Sequence, residues 1–384
     1  MKTETPDLLT ELLTGAIEQL DIPRQVFETL VGRYDHLAQW LRGRGLSVSA
    51  EIYPQGSMRL GTPVQPDTAS LDFDIDMVLL LTVAKEDISK VDLRDEVGVL
   101  LADYAKAHGS EMSVSGIDEK GRCWTLEYDG LGFHLDVLPA IPDAAAVSDS
   151  AILLTDRDLH HWQESDPIRY AEWFLVERTP WEVTVRASAE LATRLDVSVE
   201  NVPRFLVRTP LQRAVQVAKR HRDVHFRSSP QLRPPSVLIT TLIAMGYEGE
   251  TSLREILERF LEVAPDLVES RDGIWWVPNP VAEGENFADK WNSHPERRAA
   301  FWEWVEALQS DLEHASSSLG FDAVAASLGR SFGEEPVRAA ATAIGKSFGG
   351  SAAVAGPAIG SAGQLIRSKP KRPAPHTFHG PTRE

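Results

Sequence analysis

The chain has 384 residues, 42% of them apolar and 8% aromatic, which is enough for two domains with sizeable cores. Its formal charge of −18 argues against a protein that mainly coats a nucleic-acid backbone. The single cysteine, Cys123, cannot form an internal disulfide. No stretch approaches the roughly 18 apolar residues of a membrane span, and the polar, acidic start lacks an apolar signal region. The sequence therefore predicts a cytoplasmic protein with neither a membrane nor a stable nucleic-acid partner.

Hydrophobic periodicity divides the first half of the chain into alternating helices and strands, which predicts a mixed α/β unit. The helical pattern near the start is interrupted at Pro23, a residue that disfavours helix continuation. Residues 72–83 alternate acidic and apolar side chains and then become continuously apolar, as in a strand that enters a covered sheet. The predicted elements in order are two helices within 8–46, strands at 48–53 and 72–83, a helix at 92–108, an extended pair around Ser113 and Trp124, and a strand at 133–138.

Beyond about residue 159 the pattern is mostly helical and predicts a second domain. Thr209 and Pro210 supply a helix N-cap and a first-turn proline. From about residue 315 Ala, Gly, Ser and Pro dominate, so we expect the last thirty-odd residues to be flexible. The predicted helices of this half lie at 211–224, 236–245, 252–263 and 295–310. The predicted division is a mixed α/β domain with N-terminal helices at 1–158, a helical domain at 159–315 and a C-terminal segment at 316–384.

Acidic side chains are concentrated on one face of the strand predicted at 72–83. Because side chains at i, i+2 and i+4 share a face, Asp72, Asp74 and Asp76 project together. These carboxylates repel one another unless water or a divalent cation neutralises them, and hard oxygen ligands suit Mg²⁺ or Mn²⁺. Taken alone, such a pattern is more often a polar edge strand than a metal site.

Two further features flank this strand. Gly56 lets the backbone approach a phosphate and the hydroxyl of Ser57 can donate to it, although a Gly-Ser pair alone is an ordinary turn. Asp136 shares a face with His134 on the strand predicted at 133–138. A Gly-Ser turn, an Asp-x-Asp strand and a third Asp on a later strand are the order that nucleotidyl transfer requires. In that reaction carboxylates hold two metal ions roughly 3.5–4 Å apart, which align a hydroxyl with the α-phosphorus.

Together these motifs resemble the bacterial CD-NTases, the cyclic-oligonucleotide synthases of anti-phage signalling systems that are related to cyclic GMP-AMP synthase and oligoadenylate synthase. The strings that carry the resemblance lie at 53–62, 74–78 and 134–140, and the similarity continues through 211–244 and within 278–291. The resemblance implies an α+β fold, with a polymerase-β-like nucleotidyltransferase mixed sheet and a helical second domain that closes the nucleotide cleft. It also implies the joining of ribonucleoside triphosphates into a cyclic di- or trinucleotide messenger, with release of pyrophosphate.

The resemblance assigns roles to particular residues. Asp74, Asp76 and Asp136 are the expected ligands of two Mg²⁺ ions, with Mn²⁺ as a possible replacement, and Asp136 is expected to accept the proton of the attacking hydroxyl. A register that uses Asp72 instead of Asp76 is the alternative. The expected substrate-binding residues are Gln55, Gly56, Ser57, Lys219 and Ser236.

Two of these assignments also have a purely structural interpretation, and several neighbouring residues are equally open to one. Lys219 is also consistent with a solvated helix charge and Ser236 with a helix N-cap. His134 is expected to be a packing histidine outside the site. Arg220 and Arg222 could face phosphates or water, and the sequence does not decide between them.

The implied partners are ribonucleoside triphosphates with ATP among them, a regulatory protein, and an effector reached through the diffusible product. One alternative is a linear oligoadenylate synthase or a nucleotidyltransferase with a tRNA or protein acceptor, and the charge of −18 counts against the tRNA acceptor. A second alternative, from another class, is a catalytically silent nucleotide-binding scaffold. The presence of all three acids argues against it.

Overall fold

Two hydrophobic cores organise the computed structural model of the protein, which describes residues 8–44, 49–66, 73–155, 162–179, 197–199, 208–349, 358–359 and 365–366. The helices are α1 (Leu8–Glu18), α2 (Arg24–Gly43), α3 (Gly56–Leu60), α4 (Lys90–Met112), α5 (Pro167–Glu172), α6 (Pro210–His225), α7 (Ser236–Gly246), α8 (Leu253–Leu267), α9 (Asp289–Ser293), α10 (Pro295–Ser317), α11 (Phe321–Phe332) and α12 (Glu334–Gly349). A π-helical turn at Trp173–Glu177 continues α5, and a 3₁₀ turn lies at Pro230–Leu232.

The strands form one large mixed sheet and small hairpins. Their bounds are β1 (Ala50–Pro54), β2 (Phe73–Leu81), β3 (Val114–Glu119), β4 (Trp124–Tyr128), β5 (Phe133–Pro142), β6 (Ile152–Leu154), β7 (Gln163–Ser165), β8 (Val197–Val199), β9 (Glu269–Arg271), β10 (Ile274–Trp276), β11 (Pro278–Asn279), β12 (Ala282–Asn286), β13 (Ala358–Ile359) and β14 (Leu365–Ile366). In the large sheet the strand order is β3-β4-β5-β2-β1-β8, and β6 joins β5 to β7. The central pair, β2 and β5, runs parallel, whereas β1 and β4 lie antiparallel to their neighbours β2 and β5.

Different elements pack against the two faces of the sheet, and the side chains of β2 alternate accordingly. Ile75 and Met77 pack under α2 and α4 in the first core. Residues of the other parity face the opposite side, where Val78 joins a small apolar cluster with Leu138. Asp74 and Asp76 share that second face with Val78 because alternate strand residues point the same way. The acids therefore lie on the face that α2 and α4 leave uncovered.

The second core is built from helices and draws on both ends of the described chain. α1 packs in it together with α6, α7, α8, α10, α11 and α12. At Gly15 a Cβ atom would lie only 3.0 Å from the Cβ of Ala340, so α1 and α12 approach each other closely. Although α1 precedes the sheet in sequence, it belongs to the helical core.

Local sequence signals explain where the long helices begin. The hydroxyl of Ser89 accepts a hydrogen bond from the backbone N–H of Asp92 and caps α4. Thr209 and Gln212 form a reciprocal capping box at the start of α6, where Pro210 occupies the first turn. Within the described residues, no helix combines the length and the apolar character needed to cross a bilayer.

The predicted fold class, a mixed sheet with a helical second body, is confirmed. The segment after residue 315 contains α11 and α12, two ordered helices that the sequence analysis did not predict. Most of the last thirty-odd residues, which we expected to be flexible, lie outside the described residues, as does Asp72. The predicted domain boundaries stay predictions.

Candidate active site

The three predicted metal-binding acids meet where β2 and β5 run side by side. The parallel register places Asp76 opposite Asp136 and Asp74 opposite His134. The Nε2 atom of His134 lies 2.9 Å from Oδ1 of Asp74 and 4.0 Å from Oδ1 of Asp136. From β4, the hydroxyl of Thr125 donates a hydrogen bond of 2.5 Å to Oδ1 of Asp136. The structure thus gathers all three acids, and it adds His134 and Thr125 as partners.

Burial and like charge act together on these acids. The pKa of Asp76 is raised to about 7, first by burial and then by the nearby charges of Asp136 and Asp74. The pKa of Asp136 is also raised, chiefly by burial, while the hydrogen bond from Thr125 opposes that effect. The side chain of Asp74, by contrast, is 71% exposed. Three carboxylates held this close gain stability from any bound cation.

A glycine turn lies directly against Asp76. The backbone N–H of Gln55 donates to the carbonyl oxygen of Asp76 at 2.9 Å, which fixes the start of the turn. Gly56 has φ of +58°, and a Cβ atom there would overlap Oδ2 of Asp76 and lie 3.1 Å from its Cγ. Glycine is required on both counts. Ser57 follows and lines the cleft beside the acids.

Helix α6 clamps the loop after this turn through one polar face. The side chains of Gln212, Gln216 and Lys219, at i, i+4 and i+7, donate to the carbonyl oxygens of Leu60, Pro63 and Thr62 at 2.8, 2.7 and 3.1 Å. The Nζ atom of Lys219 also lies 3.0 Å from the hydroxyl of Thr62. All three donors are buried. The loop is therefore anchored to α6.

The burial of Lys219 changes its charge state. Its side chain is only 4% exposed, and burial, reinforced by the positive charge of Arg222, lowers its pKa to about 7. An ammonium group in this position is deprived of water, and no carboxylate of the described residues is in direct contact with it. A nearby phosphate would supply the missing negative charge, which is consistent with the predicted role of Lys219.

A cleft of about 150 Å³ brings three of the predicted phosphate-binding residues together with Asp74. The predicted residues in its lining are Ser57, Asp74, Lys219 and Ser236, and the further polar ones are Thr62, Arg222, Asp223 and Arg233. Arg222 donates to the hydroxyl of Ser236 at 2.8 Å and pairs with Asp223. The sequence analysis left Arg222 undecided and did not single out Thr62 or Arg233, because only the fold places them here.

The acids provide a suitable donor set for divalent metal ions, although their present positions do not complete a site. Among the described residues, no three His, Cys, Asp or Glu side chains stand close enough together to hold a metal ion. Asp74 is turned toward His134 and is exposed, so it can rotate toward Asp76 without disturbing the core. The carboxylates of Asp76 and Asp136, whose pKa values are raised by burial and by neighbouring acids, match together with Asp74 the hard oxygen ligands that Mg²⁺ prefers. The residues therefore fit the predicted metal.

Comparison with known proteins relates this site to one family. Residues 50–139, which contain the glycine turn and all three acids, match the nucleotidyltransferase domain of cyclic GMP-AMP synthase DncV-like proteins. A c-di-GMP synthase of Roseivirga ehrenbergii is 28% identical over 340 residues, which cover 87% of this chain and 86% of that protein. The family match and this relative both indicate a CD-NTase. As a CD-NTase it is a nucleotidyltransferase.

Solved structures of CD-NTases share the fold of this chain. The CD-NTase CdnG of Bradyrhizobium diazoefficiens, solved in complex with GTP, superimposes with a TM-score of 0.67 and 22% identity over 88% of this chain and 99% of that one. The CdnC:HORMA-deltaN complex of Escherichia coli MS115-1 gives a TM-score of 0.60 and 17% identity over 86% of this chain and 98% of that one. The sheet and the helical body are thus arranged as in known CD-NTases.

Proposed function

We propose that this CD-NTase is a metal-dependent cyclic dinucleotide synthase and that GTP is one of its substrates. The observation that carries the proposal is the convergence of Asp74, Asp76 and Asp136 beside a glycine turn, where Asp74 also lines the cleft that contains Lys219. The name of the Roseivirga relative, a c-di-GMP synthase, and the GTP bound to CdnG support guanine nucleotides. ATP, which we predicted from the sequence, remains the second substrate to test.

In the proposed reaction a ribose hydroxyl of one nucleotide attacks the α-phosphorus of another. The proton of that hydroxyl passes to Asp136, a new oxygen–phosphorus bond forms, and the bond to the bridging oxygen breaks. Pyrophosphate leaves with that electron pair, and a second transfer in the opposite sense closes the ring. Asp74, Asp76 and Asp136 would hold the divalent ions, which when bound would supply Lewis-acid stabilisation of the charge that develops on the phosphate.

The remaining residues hold the substrate in place. The backbone at Gly56, which is free of a Cβ, and the hydroxyl of Ser57 approach the triphosphate from the sheet. Lys219 and Ser236 approach it from the helical domain across the cleft. A triphosphate bound between them restores the full charge of Lys219, because its negative charge raises the pKa of the buried amine. Gln55 acts through its backbone by fixing the turn against Asp76.

The cellular part of the proposal follows the family. We infer a role in anti-phage defence, in which the diffusible product activates a separate effector. The CdnC:HORMA-deltaN complex is a precedent for a protein partner bound to a CD-NTase, and it supports our prediction of a regulatory protein. A linear oligonucleotide synthase and a silent scaffold remain the competing functions.

One experiment separates these functions. Purified protein is incubated with all four ribonucleoside triphosphates and Mg²⁺, then with Mn²⁺, and phosphatase-resistant products are identified by mass spectrometry. Asp76→Asn is compared with Asp87→Asn, which changes an exposed acid outside the site. A cyclic dinucleotide that is present with Asp87→Asn and absent with Asp76→Asn supports the proposal. Linear products alone would favour the oligonucleotide synthase, and nucleotide binding without any product would favour the scaffold.

A further inference from the structure

Arg222 is a buried charge whose contacts converge on the edge of the nucleotide cleft. Its side chain is 8% exposed, and its Nη1 atom donates to the hydroxyl of Ser236 at 2.8 Å and to the carbonyl of Pro234 at 3.1 Å. Its Nε and Nη2 atoms both donate to Oδ1 of Asp223, at 3.0 and 2.8 Å. A guanidinium fixed at both ends in this way has little freedom to move toward a ligand.

The bond from Arg222 determines what the hydroxyl of Ser236 can do. A guanidinium only donates, so the Ser236 oxygen accepts, and its own hydrogen must point elsewhere. Among the described residues, the hydrogen bonds of the Ser236 side chain include this accepted bond and none that it donates. Ser236 lines the cleft that also contains Lys219 and Asp74. Its hydroxyl is thus left as a donor beside the space that a triphosphate would occupy.

The helix that begins at Ser236 adds to this preference. Ser236 is the first residue of α7, which is 11 residues long, and its cap residue Pro235 makes no side-chain capping bond. The first backbone N–H groups of a helix have no intrahelical partner and favour a nearby anion. The hydroxyl donor and the helix start therefore act at the same place.

We propose that Arg222 is a positioning residue that holds the Ser236 hydroxyl as a hydrogen-bond donor to the substrate triphosphate. This inference rests on the proposed function, since it assigns a phosphate ligand to the same cleft. Asp223 completes the arrangement because it neutralises Arg222 and also accepts from Arg233 at 3.2 Å. Arg222 thus acts on the nucleotide through Ser236 and does not contact the phosphate.

A double-mutant cycle tests this mode of action. GTP affinity is measured calorimetrically, with Ca²⁺ in place of Mg²⁺, for wild type, Arg222→Lys, Ser236→Ala and the double variant. Each single variant is expected to weaken binding about tenfold, the effect of one hydrogen bond to a charged group. In the double variant the loss stays at about tenfold. A second double variant combines Arg222→Lys with Ser236→Thr, which keeps a hydroxyl. Its GTP affinity is still lowered by the Arg222→Lys change.

Arg233→Lys is the matched control, because Arg233 shares Asp223 with Arg222. Its effect on GTP affinity should be the same with and without Ser236→Ala, and the unfolding midpoint of each variant reports any general damage. If Arg222→Lys and Ser236→Ala multiply to about a hundredfold, Arg222 acts on the phosphate directly and the inference is wrong. If wild type binds GTP but makes no cyclic product, the proposed function fails while the cycle still decides this inference. If wild type binds no GTP, both fail.

Discussion

Replacing Lys219 by methionine is expected to abolish synthesis and to stabilise the folded protein. The buried ammonium has its pKa lowered to about 7 from an ordinary value of 10.5, so the fold disfavours the charged form. One pKa unit corresponds to 1.36 kcal/mol, and the whole difference to roughly 5 kcal/mol below pH 7 and about 4 kcal/mol at pH 7. Methionine fills a similar volume without charge, but it leaves Thr62 without its two contacts, a loss of about 1–2 kcal/mol. The expected net gain at pH 7 is about 2–3 kcal/mol.

The stability difference between wild type and Lys219→Met depends on pH, and its direction follows from the lowered pKa of Lys219. Between about pH 7 and 10.5 the unfolded chain carries a proton on Lys219 that the folded chain has released, so the stability of wild type rises with pH. The advantage of Lys219→Met is therefore largest at or below pH 7 and disappears toward pH 10. Urea unfolding at pH 6.5, 8 and 9.5 measures it, with Lys85→Met, at an exposed lysine, as the control. A Lys219→Met protein that is less stable than wild type at pH 6.5, or a difference that does not vary with pH, would refute the reasoning.

Three further outcomes are expected. Asp76→Asn should reduce product formation by at least about a thousandfold while the melting temperature is unchanged or higher, because a half-buried carboxylate that is repelled by its acidic neighbours is neutralised. Gly56→Ala should lower both activity and stability, since its positive φ costs about 1–2 kcal/mol and its Cβ overlaps Asp76. Gly130→Ala is the control and should lower stability alone, because Gly130 has φ of +67° but no atom within 4 Å of an added Cβ. GTP binding by wild type should weaken as pH rises above about 7, by up to about tenfold per pH unit, because the amine must then take up a proton. Lys219→Arg should remove this slope in calorimetric titrations, and an equal slope in both proteins would contradict the assignment.

Local patterns were sufficient to predict strands β1 to β5 and the acidic face of β2, because side-chain alternation is a property of the strand itself. The register was not predictable in this way. Whether Asp76 faces Asp136 or slips by one residue depends on the parallel pairing of β2 with β5, which lie far apart in sequence. The resemblance to CD-NTases supplied the third acid before the fold brought it close.

The polar residues of α6 show a different limit. Gln212, Gln216 and Lys219 have helical spacing, but a sequence gives no reason to expect such residues in the interior. Their burial depends on the carbonyl groups of the loop after α3, which the fold alone brings within reach. The same holds for Arg222 and its partners at the edge of the cleft.

The amino-acid composition after residue 315 gave no indication of α11 and α12. Phe321, Val324, Leu328 and Phe332 follow a helical period in α11, and all but the first are buried. The surrounding Ala, Gly and Ser residues are the reason that we predicted no helix there. Small residues instead permit close helix packing, as the approach of Gly15 in α1 to Ala340 in α12 illustrates.

The close packing of α1 against α12 has a consequence for folding during synthesis. A ribosome that synthesises 5–20 residues per second needs roughly 15–65 s to proceed from α1 to the end of α12. Throughout that interval α1 lacks α12, one of the helices that pack against it in the folded protein. The sheet, whose strands β1 to β7 are synthesised well before α6, can form earlier. The helical core is therefore completed last, so a nascent chain gains its acids before the core that carries Lys219 and Ser236 is complete.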